Sequence, residues 1–127
     1  MSNLSVHSDE HEALLTIVFP ARFVSTNTDQ LREKLAEFFT SPEAKINQWK
    51  RLELDFRATE FIDSIGLNLV FDLVKGAEER EAEIVAWVVS RAVRLILYTV
   101  RLDKKMDIRL VETRDEADYP IGARPIA

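Results

Sequence analysis

Apolar residues recur along this chain with two different periods, and the changes of period divide it into elements. Leu4 and Val6 alternate with polar neighbours, and after the charged stretch Asp9 to Glu12 comes the apolar run Ala13 to Phe19. This pattern predicts two strands joined by a turn, the second ended by Pro20. From Thr26 the spacing becomes helical. Leu31, Leu35, Phe38 and Phe39 share one side, Thr26 and Asn27 are candidate caps, and Asp29 and Gln30 follow three residues later. A first helix is therefore expected over residues 28–39, stopped at Ser41-Pro42. Leu52, Leu54 and Phe56 then alternate with Glu53 and Asp55 as a strand. Ile84 to Val89 is a continuous apolar run rich in β-branched residues, which predicts a central strand covered on both faces. Ser90 can cap a third helix with Val93, Ile96, Leu97 and Val100 on its apolar side and Arg91, Arg94 and Arg101 elsewhere. Ile108 and Leu110 suggest a last short strand. From Arg114 to Ala127 the chain has Pro120 and Pro125 and no period, as a short helix followed by a loose tail would.

The second helix begins near Ser64. On a wheel of 100° per residue, Asn68, Asp72, Lys75 and Glu79 form a narrow polar stripe, with Gly66, Val70, Leu73 and Ala77 opposite and facing the sheet. Gly66 is small enough for the first turn to approach a strand closely. Ser64 falls beside the polar stripe. Ile65 and Leu69 flank one side and Leu67 and Phe71 the other, an apolar arc wider than a surface helix needs and suited to docking another protein. Asp63 and Ser64 read first as caps for the free amides of the helix start. The same amides and the helix dipole would also stabilise an anion such as a phosphate on Ser64.

Alternating strands and helices after residue 50 imply right-handed βαβ units: an α/β fold with a mixed four- to five-stranded sheet and helices packed mainly on one face. With 127 residues, 46% of them hydrophobic, and only three Gly and four Pro, the chain fits one folded domain. Its net charge of −5, with no long basic run, argues against nucleic acid as a partner. No apolar stretch reaches the roughly 20 residues that cross a bilayer, and the polar start lacks the pattern of a signal peptide, so a cytoplasmic location without membrane contact is expected. Zero cysteines exclude disulfides and thiolate chemistry.

The residues Leu52-Glu53-Leu54-Asp55, followed by Phe61-Ile62-Asp63-Ser64-Ile65-Gly66-Leu67, resemble the strand, loop and helix start of the STAS domains, and among them the bacterial anti-sigma factor antagonists. Ile84 to Val89, Ser90-x-x-Val93, Leu102 and Ile108 follow at similar distances, so the resemblance spans residues 3–111 of a single domain with a C-terminal extension at 112–127. It implies an anti-sigma factor antagonist in a partner-switching pathway. In such a pathway the unphosphorylated protein binds a serine protein kinase that doubles as an anti-sigma factor, phosphorylation of Ser64 releases it, and a phosphatase restores binding. Asp63, Ile65, Gly66, Leu67, Asn68, Leu69, Val24 and Thr26 would form the partner surface. A weak homodimer is a possible further partner state, the oligomeric state being left open, and no cofactor or metal is implied. A phosphate brings about −1.5 to −2 charges beside Asp63, and a docking loss of ~3 kcal/mol corresponds to roughly a hundredfold in affinity. Three departures stand out. The family's Gly-x-x-Asp segment before the first helix is here Ala21-Arg22-Phe23-Val24, a glycine is missing between Glu79 and Glu83, and another is replaced by Arg101.

Other readings fare worse. A nucleophilic Ser64 needs a base, and His7 and His11 lie in a polar segment with no orienting partner. Asp55, Asp63 and Asp72 do not make a metal site and read as a cap and solvated surface. The arginine stripe of the third helix reads as its wet side, and Trp49 and Trp87 read as packing residues. The competing function is a STAS scaffold or ligand-sensing module that works without phosphorylation.

Overall fold

The computed structural model describes residues 5–9, 13–40 and 49–111. Strands β1 (Ser5–Asp9) and β2 (Leu14–Val18) form the expected hairpin; the two-residue β3 (Arg22–Phe23) leads into helix α1 (Ser25–Thr40). Then come β4 (Arg51–Phe56), a second two-residue strand β5 (Phe61–Ile62), α2 (Ser64–Glu79), β6 (Glu83–Val88), α3 (Arg91–Thr99), a 3-10 turn at Leu102–Lys104 and β7 (Asp107–Leu110). The main sheet has the order β1-β2-β4-β6-β7, parallel except for β1, and β3 pairs with β5 in a separate small sheet. Leu4, the Ser41-Pro42 stop and the 112–127 extension lie outside the described residues, as do the side chains of Phe38 and Phe39.

The period of two in each strand decides where the core lies. Leu15 and Ile17, Leu52, Leu54 and Phe56, and Ile84, Ala86 and Val88 all point to one face, where they pack with Leu31 and Leu35 of α1, Val70 and Val74 of α2 and Val93 and Leu97 of α3. The three helices therefore cover the same face, as the alternation of elements implied. On the other face Thr16, Glu53, Asp55, Val85 and Trp87 are also buried. Alternation read Asp55 as solvated surface, and that reading is corrected. The residue is 5% exposed, and its carboxylate binds Arg57 at both oxygens, at 2.9 and 3.0 Å. Glu53 is fully buried, accepts from the Trp87 indole at 3.3 Å and lies 3.1 Å from the Arg51 guanidinium. A buried carboxylate requires such partners. Strand β6 is central, between β4 and β7, and both rows of its side chains are buried, as its continuous apolar run predicts.

Helix α1 begins at Ser25, three residues earlier than the spacing of its leucines suggested. Thr26 and Asn27 are inside it. Asn27 acts in a different way from a cap at the first position: its side chain reaches back from the third helical residue to accept from the Val24 amide at 2.8 Å and donates to the Arg22 carbonyl at 2.8 Å.

The two positions where the resemblance calls for glycine carry the backbone that favours glycine. Glu81 has φ 57° and Arg101 φ 64°. Glu81 follows the C-cap Arg80 of α2, and the amides of Glu81 and Ala82 return to the carbonyls of Glu78 and Ala77 at 3.0 and 2.9 Å. That is the Schellman arrangement, in which a left-handed residue satisfies the last carbonyls of a helix. Arg101 does the same after α3, its amide 3.0 Å from the Tyr98 carbonyl. A side chain in this region costs roughly 1–2 kcal/mol, partly offset by the chain entropy that glycine loses on folding. Glu81→Gly and Arg101→Gly are each expected to raise unfolding free energy by about 1 kcal/mol in urea titration, additively because the sites are independent.

Candidate functional site

Strands β3 and β5 bring two short segments together, residues 21–24 and 60–63. The amides of Glu60 and Phe61 donate to the Ala21 carbonyl at 2.7 and 3.2 Å, and the Asp63 amide donates to the Phe23 carbonyl at 3.2 Å. Both segments lead directly into helices, so the starts of α1 and α2 are neighbours. Asp63 joins them. It is the N-cap of α2, with Oδ1 accepting from the Gly66 amide at 2.7 Å, while Oδ2 accepts from the Ser25 amide at the first residue of α1, at 3.1 Å. One carboxylate thus satisfies donors of two helix N-termini and sits at the positive end of both dipoles.

This double role explains what happens at Val24. The position before α1 is where a capping acid would serve, and valine has no acceptor to offer. Asn27 takes the Val24 amide and Asp63 takes the Ser25 amide instead. Val24 itself is half-buried, and Thr26 is exposed one turn along.

Gly66 permits the close contact. A Cβ built there would lie 2.6 Å from the Phe23 carbonyl oxygen, 3.0 Å from the Phe23 ring and 3.2 Å from Ile62. Beneath it the aromatic rings of Phe23, Phe19 and Phe56 continue inward, with centroids 4.8 and 4.3 Å apart. All three are fully buried.

Ser64 is the first residue of α2 and is exposed. Helix geometry leaves its amide and that of Ile65 without an intrahelical acceptor. Around it, Ile65 is 48% and Phe61 41% exposed, and the Arg22 guanidinium lies 4.8 Å from the Phe61 ring centroid. Asn68 is exposed and Leu67 half-buried against the core. Two residues expected on the partner surface have a different place. Gly66 and Leu69 are buried, because the buried stripe of α2 runs through Gly66, Leu69, Val70, Val74 and Ala77, rotated from the stripe drawn on the wheel, and Leu73 is only half-buried. They lie on the buried side of α2, beneath the exposed residues of its first turns. The polar stripe Asn68, Asp72, Lys75 and Glu79 is exposed throughout. Phe71, 40% exposed, extends the apolar flank along the helix.

The other singled-out residues are elsewhere. Arg91, Arg94 and Arg101 are exposed, beside or near the exposed Leu95, Tyr98 and Leu110. His7 is exposed on β1, where it bonds the Ser5 hydroxyl at 2.9 Å. Among the described residues no cluster of three or more His, Cys, Asp or Glu could hold a metal, and no helix is long and apolar enough to cross a membrane.

Sequence reasoning found Asp63 as a cap but missed its second bond, which joins residues 38 apart in the chain. The signal was the missing acceptor at Val24. Removing the shared carboxylate orphans two amides, so Asp63→Ala is expected to lose about 2 kcal/mol of stability in urea unfolding. Asp63→Asn, which keeps an acceptor for one amide, is expected to lose about half as much. Gly66→Ala must push the helix off the Phe23 carbonyl and is expected to cost about 1–3 kcal/mol.

A family model of the STAS domain matches residues 5–117. No curated protein sequence matches the chain. Among solved structures, the phosphorylated form of the Bacillus cell fate determinant SpoIIAA superimposes with a TM-score of 0.63 at 15% identity, over 91% of this chain and 96% of that one. A putative anti-sigma factor antagonist from Thermotoga maritima gives 0.64 at 14% identity, over 91% and 92% of the two chains. An anti-sigma factor antagonist from Mycobacterium paratuberculosis gives 0.61 at 19% identity, over 91% of each. At such identities the solved structures speak for the fold, while the family model covers nearly the whole length: the chain belongs to the STAS domain family.

Proposed function

We propose that the protein is a partner-switching module of the anti-sigma factor antagonist type, a binding protein whose docking surface is controlled by phosphorylation of Ser64. The observation that carries this reading is the exposure of Ser64 at the first turn of α2, between the Asp63 carboxylate and the exposed side chains of Phe61 and Ile65. In the unmodified state a partner can bury that apolar flank together with a neutral hydroxyl. A phosphate there adds about −1.5 to −2 charges. The free amides of Ser64 and Ile65 and the helix dipole stabilise the phosphate within this chain, but a partner packed against it must desolvate it and meet the adjacent Asp63 charge. Modification therefore spares the fold and weakens the complex.

The partner in this reading is a serine protein kinase that also serves as an anti-sigma factor, and a phosphatase resets the switch. A second reading, a scaffold that docks through the same surface without modification, draws on Val24, where the acid found beside the serine in the family is absent.

The two readings part in one experiment. The purified protein is incubated with ATP and the histidine-kinase-like ATPase encoded nearest its gene, and the phosphate is located by mass spectrometry. Modification of Ser64 is expected; modification only elsewhere, or none, favours the scaffold. In calorimetric titration against the same kinase, Ser64→Ala is expected to bind like the native protein and Ser64→Asp about tenfold or more weakly, with the full phosphate costing roughly a hundredfold. Equal binding by both variants would overturn the electrostatic switch.

A further inference from the structure

Helix α3 and the edge strand β7 leave a groove of about 440 Å³ between them, lined by Arg91, Arg94, Leu95, Tyr98 and Leu110. The four helical residues recur at intervals of three and four, so they share one side of α3, opposite the buried Val93 and Leu97. Leu110 stands opposite Val88 in the register of β6 and β7, on the sheet face that the helices cover. Among the described residues β7 has a neighbouring strand on one side only, and Leu110 is 42% exposed.

Two observations set this groove apart from an ordinary wet helix face. The first is where the exposed apolar surface lies. Among the described residues six large apolar side chains are exposed: Phe61, Ile65 and Phe71 belong to the surface around Ser64, and the other three, Leu95 at 68%, Tyr98 at 41% and Leu110, all line this groove. Exposed apolar residues scattered singly are normal, whereas a cluster marks a contact. The second is charge. Among the described residues lining the groove there are two guanidiniums and no carboxylate, and the Arg94 guanidinium lies over the Tyr98 ring, 5.2 Å from its centroid. From Ser90 to Val111 the chain has six basic and two acidic residues, although its net charge is −5. The groove is thus an apolar patch in a basic stretch of an acidic protein.

We propose that this groove docks a short acidic segment of a partner protein, one in which carboxylates flank large apolar side chains. The apolar side chains pack against Leu95, Tyr98 and Leu110, and the carboxylates accept from the guanidiniums of Arg91 and Arg94, each of which can donate two parallel hydrogen bonds to one carboxylate. Apolar burial supplies the affinity, with tyrosine and arginine as the anchors that protein interfaces favour. The negative charge of the rest of the chain repels an acidic segment elsewhere, so charge directs it to this groove. The site lies on a different helix from Ser64 and does not depend on how that serine is used.

A phage-displayed library of random short peptides, selected against the immobilised full chain, is expected to yield sequences rich in Asp and Glu around Leu, Phe or Trp. The best of them, synthesised with a fluorescent label and titrated by polarisation, is expected to lose about tenfold or more in affinity with Leu95→Ala and with the double variant Arg91→Gln/Arg94→Gln, and to bind more weakly as salt rises. Ile65→Ala and Ser64→Asp should leave its affinity unchanged. All these positions are exposed, so each variant should melt with the native protein. The proposal is overturned if the selection enriches no acidic class, if affinity survives either groove variant, or if Ile65→Ala abolishes binding, which would move the peptide to the surface around Ser64. It is overturned equally if sedimentation shows a dimer that Leu95→Ala dissociates, since the occupant would then be a second copy. The acidic residues Glu112, Asp115, Glu116 and Asp118 of the chain itself are tested by Glu112→Gln, Asp115→Asn, Glu116→Gln and Asp118→Asn together: peptide binding tightened about tenfold or more would make them the occupant and overturn the partner. If Leu95→Ala does not fold, the arginine pair decides, and unchanged affinity there overturns the site.

Discussion

The first turn of α2 approaches the backbone of β3 so closely that the residue at the contact can have no side chain. Gly66 meets that constraint, and the Phe23 carbonyl it faces also receives the Asp63 amide. Once the turn is seated there, the Asp63 carboxylate reaches the start of α1 and fixes the entry of both helices. The small β3–β5 sheet, the two N-termini and the exposed edge around Ser64 are consequences of one contact between a glycine and a carbonyl. Such contacts tolerate little change, since packing density near the interior leaves no slack for even one methyl group.

The main sheet serves this arrangement from below. Its helical face is an ordinary apolar core, but its other face buries two carboxylates, Glu53 and Asp55, on the central strand β4. Each is held by a nearby arginine, and Glu53 also by the Trp87 indole. The register places Glu53 opposite Val85 and Asp55 opposite Trp87 on β6, so the two charges stand in adjacent rows with an aromatic donor beside them. Buried ion pairs are weak evidence for stability, because desolvation offsets much of their attraction. They do fix register, since a slip of one residue would move both carboxylates to the helical face.

Much of this was legible in the sequence because it is local. The hairpin, the three helices, the cap at Asp63 and the covered strand β6 all follow from spacing within windows of ten or so residues. What was not legible depends on residues far apart in the chain. Alternation at Glu53 and Asp55 cannot say whether the second face of a sheet is covered, so Asp55 read as solvated. The leucines of α1 could not reveal that the helix starts at Ser25, because the acceptor for that amide comes from Asp63. The wheel placed Leu73 toward the sheet and Leu69 on a flank, whereas packing between α1 and α2 rotates the buried stripe toward Leu69. At Glu81 and Arg101 the resemblance marked the places where glycine belongs, and the backbone kept the left-handed geometry without it.

The column of rings from Phe56 through Phe19 to Phe23 has a consequence for recognition. It ties the exposed turn at Ser64 to the rigid centre of the sheet, so the surface proposed for docking would be ordered before any partner arrived. Association then immobilises few backbone degrees of freedom on this side of the interface, and the entropic penalty falls mainly on the exposed side chains of Phe61, Ile65 and Phe71. In the proposed function such a surface would answer to the charge placed on it rather than to folding around its partner, and would be turned off by a modification that leaves its shape unchanged.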